Sequence, residues 1–200
     1  DIKGQNTENS MKDLSSDIHM NLNINATPDA TLVVLTDNKT GDNMSLNGIG
    51  QLNAEYYNKG KFRLYGTYTL DHGLYKITIK DIIRKNFEMQ KGGTINGIMN
   101  MTGSYTVNNV SLGDLNLGNL NQGSTADVDC ILYFRGLCGT PEVSFDLDFQ
   151  NVNDEEKQMV KKMIASQGDM NMQIIYLLSI GRFFTYDYDN FNVAGQSQSS

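Results

Sequence analysis

The sequence predicts a mainly β fold of antiparallel-rich strands followed by two short C-terminal helices, and three observations predict it. Apolar and polar residues alternate at period two through most of residues 18–150, the signature of half-buried strands. Clusters of Gly, Asn and Asp punctuate that alternation, and the 19 Gly, 2 Pro and absent Trp suit extended strands joined by turns. Beyond residue 150 the period changes to that of a helix, and capping residues appear.

The elements follow in order. Residues 1–17 are polar and aperiodic and read as a linker or disordered lead-in. The β domain occupies 18–150. Its first strand sets Ile18, Met20, Leu22, Ile24 and Ala26 against His19, Asn21, Asn23 and Asn25. Thr27-Pro28-Asp29 interrupts it as a turn, because proline removes a ladder donor. Ala30 to Leu35 is a short apolar run closed by Asp37-Asn38. A long strand then places Met44, Leu46, Gly48, Gly50, Leu52, Ala54 and Tyr56 on one face. Gly at two inward positions predicts a sharp bend or the close approach of another layer.

After the Asn58-Lys59-Gly60 turn, Phe62, Leu64, Gly66, Tyr68 and Leu70 alternate. Asp71-His72-Gly73 reads as the next tight turn, and Tyr75, Ile77 and Ile79 as the returning strand. Asp81 to Lys85 breaks the period as one helical turn would. Phe87 and Met89 lead to Gly92-Gly93-Thr94-Ile95, and Met99, Met101, Gly103, Tyr105 and Val107 alternate again. Residues 108–125 read as a long loop, tacked down by Leu112, Leu115, Leu117 and Leu120. Ala126, Val128, Cys130, Leu132 and Phe134 form one more strand, and Val143, Phe145, Leu147 and Phe149 the last.

Residues 151–188 are the helical segment. Asn153 with Asp154, Glu155 and Glu156 is an N-cap with acids in the first turn and Glu at the third position. Val160, Met163 and Ile164 give the apolar stripe, Gly168 stops it, and Asp169 caps a second helix with Ile174, Leu177 and Leu178. Residues 189–200 form a tail, next to an aromatic cluster of Tyr186, Tyr188 and Phe191.

Composition excludes several functions. The net charge is −7, from 16 basic and 23 acidic residues, and no run of Lys and Arg is dense enough to track a phosphate backbone, so no nucleic acid is expected. The longest apolar stretch, Ile174 to Phe184, contains Gly181 and Arg182 and falls short of the ~20 residues of a membrane helix. The chain opens on Asp1 and shows no signal peptide, so it reads as a fragment of a longer protein.

Catalysis needs convergent acids, bases or ligands. The two histidines, His19 and His72, fall on a strand's polar face and in a turn. Cys130 and Cys138 lack the spacing and the nearby His of a zinc site. A disulfide between them demands irregular geometry. Asp127/Asp129 and Asp146/Asp148 oppose the apolar face, where solvated charge is the ordinary outcome rather than calcium. The glycine pairs lack the helix and lysine of a phosphate loop. The reading is therefore no enzyme, no cofactor and no metal.

What remains is an apolar face shared by successive strands. Alternation alone favours a closed sandwich or barrel that buries the face over one sheet curled into an open trough lined by it.

Particular segments carry a resemblance. Leu22-Asn23-Ile24-Asn25-Ala26-Thr27-Pro28-Asp29, Tyr56-Tyr57-Asn58-Lys59-Gly60-Lys61-Phe62 and Gly66-Thr67-Tyr68-Thr69-Leu70-Asp71-His72-Gly73 resemble the TamB C-terminal domain family. So do Ile82-Ile83-Arg84-Lys85, Gly92-Gly93-Thr94-Ile95, Tyr105-Thr106-Val107-Asn108, Pro141 to Leu147, Asn153 to Met159, and Met170 to Phe183. These anchors cover most of residues 20–188. One departure stands out: Ile95 runs almost at once into Asn96 to Tyr105, where relatives usually carry a further strand-turn-strand segment.

The resemblance implies an open apolar trough (a β-taco) in the periplasm, within an inner-membrane-anchored protein that reaches the outer membrane. It implies phospholipid carriage between the membranes, or assembly of outer-membrane β-barrel proteins from unfolded clients. The partner it implies is an Omp85-type, TamA-like protein. It also implies an oxidising compartment for the two cysteines.

Carriage is physically reasonable, since desolvating an acyl chain contributes ~0.8 kcal/mol per CH₂, or roughly 12 kcal/mol for about fifteen. Four strands at ~4.8 Å spacing line roughly 19 Å of trough. The expected lining is Leu22, Ile24, Leu46, Leu52, Phe62, Leu64, Leu132, Phe134, Phe145 and Leu147. The expected partner contacts are Ile174, Leu177, Leu178 and Phe183.

Overall fold

The computed structural model describes residues 16–60, 62–116, 124–137 and 140–186. The expectations for Leu117, Leu120, Cys138, Tyr188, Phe191, the tail and most of the lead-in lie outside them. The strands are β1 (His19–Ala26), β2 (Thr31–Asp37), β3 (Asp42–Tyr57), β4 (Arg63–Ile79), β5 (Ile83–Met89), β6 (Thr94–Asn96), β7 (Ile98–Ser111), β8 (Thr125–Leu137) and β9 (Thr140–Gln150). Helices α1 (Asp154–Met163) and α2 (Gln167–Ile180) follow. All nine strands join one sheet, in the order β1-β3-β4-β5-β7-β8-β9. Strand β2 pairs with β3, and the short β6 pairs with both β4 and β7. Every pairing with a described register is antiparallel, so the mainly β reading with two C-terminal helices holds.

Four local readings are corrected. Asp71-His72-Gly73 is no turn, because β4 runs unbroken from Arg63 to Ile79. Asn47 pairs with His72 and Gly48 with Leu70, which leaves Asp71 as the extra residue of a β-bulge. The inward set changes there from even to odd numbers, and a turn and a one-residue bulge produce the same slip in a sequence. The supposed helical turn at Asp81 to Lys85 is a hairpin tip: Lys80 and Asp81 take φ of 53° and 63°, and Ile79 pairs with Ile83.

The long loop is shorter than expected. Strand β7 continues to Ser111, and Leu112–Leu115 forms a 3₁₀ turn with Leu112 and Leu115 buried. Helix α2 starts earlier than Asp169, at Ser166, whose Oγ accepts the Asp169 N–H at 3.0 Å. By contrast Asn153 caps α1 as expected, its Oδ1 accepting the Glu156 N–H at 2.8 Å. The abrupt passage after Ile95 is a tight turn: Asn96 pairs with Ile98 around Gly97, at φ 73°.

Contacts divide the chain into two compact units. Unit 1 comprises Asp1–Tyr105 with Ile131–Ser144, and unit 2 comprises Thr106–Cys130 with Phe145–Ser200. Unit 1 is built on the 13 described pairings between β3 and β4. Its buried side chains include Met44, Leu46, Tyr68, Leu70, Phe87, Met101 and Phe134. The sheet curls within this unit. Tyr75 on β4 and Phe134 on β8 meet edge to face at 5.7 Å although β5 and β7 separate them in the strand order. On a flat sheet that interval is roughly 14 Å.

In unit 2, Val128, Cys130, Leu147, Phe149, Val160, Ile174, Leu177 and Phe183 are all buried. Gln173, wholly buried, returns the α2 C-terminal segment to its helix. Its Nε2 donates to the Phe184 carbonyl at 3.0 Å, and its Oε1 accepts the Phe184 N–H at 2.8 Å. Arg182 grips Asp114 with two hydrogen bonds of 3.1 and 2.9 Å.

Candidate functional site: the apolar sheet face

The site is built by register in unit 1. Leu22 opposes Ala54, which opposes Leu64, and Ile24 opposes Leu52, which opposes Gly66. Antiparallel partners project to the same side, so these residues form one apolar corner where β1, β3 and β4 run together. The opposite side is polar. There Asn53 donates its amide to Asn21 and Asn23, an amide ladder that ties the edge strand down without exposing charge.

The curl decides which parts of the face meet solvent. Around Tyr75 and Phe134 the two sides of the curled sheet close on each other. Leu46, Leu132 and Phe134 are at most 1% exposed, and Leu52 is 3%. Toward β1 the face is uncovered: Leu22 is 59% exposed, Met20 47% and Phe62 38%, while Ile24, Ala54, Tyr56 and Leu64 are half-buried. Of the expected lining in unit 1, then, Leu22, Ile24, Phe62 and Leu64 are accessible. Leu46, Leu52, Leu132 and Phe134 belong to the unit's own core. In unit 2, Leu147 is buried and Phe145 half-buried.

Gly48 and Gly50 explain the tight closure. A side chain at Gly50 would collide with the Thr67 carbonyl, and one at Gly48 would come within 2.8 Å of the Tyr68 ring. The close approach anticipated from two inward glycines is thus made by Tyr68 itself, folded across the neighbouring strand. Its hydroxyl is buried without a hydrogen-bond partner, and burial holds its pKa above the usual phenol value.

The four residues expected to touch a partner are Ile174, Leu177, Leu178 and Phe183. They are only 1–4% exposed, within unit 2. Phe183 lies 6.1 Å from Phe149, and all four side chains belong to the interior of their own unit. A partner cannot reach them without opening the unit. The exposed apolar residue on this helix is Ile180, at 61%.

Sequence reasoning missed two features. Met20, Ala54 and Tyr56 extend the accessible corner, and their place in the alternation was the available signal. The second is a cleft of about 520 Å³ lined by residues that include Asp42, Lys76, Arg84, Lys85 and Tyr105. It went unseen because the β4–β5 hairpin was read as a helical turn.

No group of metal-ligating side chains occurs among the described residues. Cys130 is a free, buried thiol whose pKa burial pushes up to about 12, with Asp129 adding to the rise. It is a poor nucleophile at neutral pH. Among the described residues no helix is long and apolar enough to cross a membrane.

Comparison with known proteins places the fold in context. The family model described as the TamB C-terminal domain matches residues 2–200. No curated protein matches the chain, and no solved structure does.

Proposed function

Because the chain belongs to the TamB C-terminal domain family, we propose that the open corner of its apolar sheet face holds the acyl chains of phospholipid in transit between membranes. The family consists of envelope proteins that span the periplasm and generally associate with TamA, an Omp85-type partner. The domain is accordingly a TamB-like module of envelope protein or lipid assembly, in a family not known as enzymatic.

One observation carries the lipid reading. The corner formed by Met20, Leu22, Ile24, Ala54, Tyr56 and Leu64, with Phe62 just ahead of β4, adjoins the sealed core in register, yet it remains half-buried or exposed. Large uncovered apolar surface on a folded chain marks a binding site. An acyl chain laid on it extends a core that already exists. Lipid analysis by mass spectrometry of the purified chain tests the idea. Co-purifying phospholipid that is lost on delipidation and regained from vesicles is the expected result. A chain that retains no lipid under native conditions rules the reading out.

A second reading, capture of an unfolded outer-membrane β-strand, is favoured by the edge of β1. Among the described residues that strand pairs with β3 alone. The Ile18 carbonyl accepts the Asn58 N–H at 3.1 Å, so even-numbered residues bond to β3. His19, Asn21, Asn23 and Asn25 therefore turn their N–H and C=O groups to the open side, where a further strand can add. Asn25→Pro removes an outward donor while sparing the β3 pairing. On this reading it abolishes capture of an unfolded barrel protein and leaves lipid occupancy intact. Undiminished capture by the variant excludes β1 as the docking edge.

A further inference from the structure

The β4–β5 hairpin differs in charge from the rest of the chain. Lys76, Lys80, Arg84 and Lys85 lie within ten residues that hold one acid, Asp81, in a chain of net charge −7. A quarter of the 16 basic residues thus sit on one hairpin. None of the four makes an ion pair among the described residues.

Two further features accompany the charge. The tight turn at Lys80-Asp81 projects Ile82, which is 83% exposed. Below it, Lys76, Arg84 and Lys85 border the cleft with Thr40 and Asn86. The cleft's one carboxylate is already engaged: Asp42 accepts the Thr78 N–H at 2.9 Å and the Thr78 hydroxyl at 2.7 Å. The Lys85 ammonium rests 5.2 Å above the Tyr105 ring, which holds it at the cleft instead of free in solvent.

The hairpin thus sets an exposed isoleucine among its four cations. An apolar tip inside a basic collar matches the headgroup boundary of a bilayer, where hydrocarbon and anionic phosphate lie within one side chain's reach of each other. We propose that the β4–β5 hairpin docks this chain on a membrane surface bearing anionic phospholipid. Ile82 enters the acyl boundary, and the cleft at Lys76, Arg84 and Lys85 seats a lipid phosphate. The docking rests on the lipid reading only for its choice of partner, since the hairpin and the β1 corner are different surfaces.

The test is flotation of the full chain with vesicles of phosphatidylcholine alone and of phosphatidylcholine mixed with phosphatidylglycerol. Binding to the mixed vesicles only, weakened by salt, is expected. Lys85→Gln with Arg84→Gln should lower the partition coefficient by roughly fivefold per cation removed, about 25-fold together. Ile82→Ser should lower it further while leaving the salt dependence unchanged. All three positions are on the surface or half-buried, and circular dichroism with a thermal melt checks the fold of each variant.

Equal binding by folded variants and wild type overturns the assignment, as does binding indifferent to lipid charge. Saturable binding of glycerol 3-phosphate without vesicle binding makes the cleft a soluble-anion site and overturns it too. Vesicle docking retained by a chain that holds no acyl lipid defeats the proposed function alone. Acyl lipid held by a chain that never docks defeats this inference alone.

Discussion

Leu22→Arg separates carrying lipid from merely being folded. Leu22 is 59% exposed on the edge strand β1, so the substitution strips little packing, and its effect on stability should stay within about 0.5 kcal/mol. An acyl chain lying on the corner must cover the new guanidinium. At the centre of a membrane helix an arginine costs roughly 2.5 to 3.5 kcal/mol. At 1.4 kcal/mol per decade that is about a hundredfold weaker retention of lipid.

The assay is titration of the delipidated chain with a phospholipid carrying a fluorescent acyl group, alongside a thermal melt. Expected are a Kd about a hundred times higher and a midpoint shifted by no more than about 2 °C. Leu22→Met, which keeps an apolar surface, should leave both unchanged. The choice of position matters, because Leu132→Arg buries a charge at a residue with no exposure and loses lipid simply by unfolding. A folded Leu22→Arg chain that binds lipid as the wild type does would refute the reasoning.

Other outcomes follow from the same structure. Leu132→Ala, at a position with no exposure, should destabilise by about 2–5 kcal/mol in urea unfolding. Asn153→Ala removes the side-chain acceptor for the Glu156 N–H and should cost about 1 kcal/mol by the same measurement. With its pKa raised to about 12 by burial, Cys130 should resist iodoacetamide in the native chain at pH 8 and react once unfolded. Mass mapping of the labelled peptide distinguishes it from Cys138. The same shift sets a sign. The neutral thiol favours the fold fully below the unfolded thiol's pKa of about 8.5. That contribution declines as pH rises toward about 12. Cys130→Ser should therefore flatten the stability profile in that alkaline window, read by unfolding at successive pH values.

The strands, their faces and the first helix cap were legible in the sequence because each is a local rule. Side chains on a strand alternate with period two, so Leu22, Leu46 and Leu132 could be assigned to the apolar side before any coordinates. Asn153 with Glu156 announced a helix start because a cap needs only residues three apart. The Asp71 bulge was less legible. A parity slip carries the same trace whether the chain reverses or gains one residue, and only the partner strand, pairing on both sides of Asp71, resolves it. The hairpin cleft was missed for a related reason: its lining joins Asp42, Lys85 and Tyr105, brought together by strand pairing across some sixty positions.

What the sequence determined by itself is which residues share a face. What only the tertiary structure decided is where that face is covered. Leu22 and Leu46 are the same residue type in the same alternation, yet one is 59% exposed and the other not at all. The difference lies across the curl of the sheet: Leu46 faces the side that closes where Tyr75 meets Phe134, and Leu22 lies on an edge strand, 59% exposed. Burial depends on what stands on the far side of a residue, and period-two alternation records only the near side.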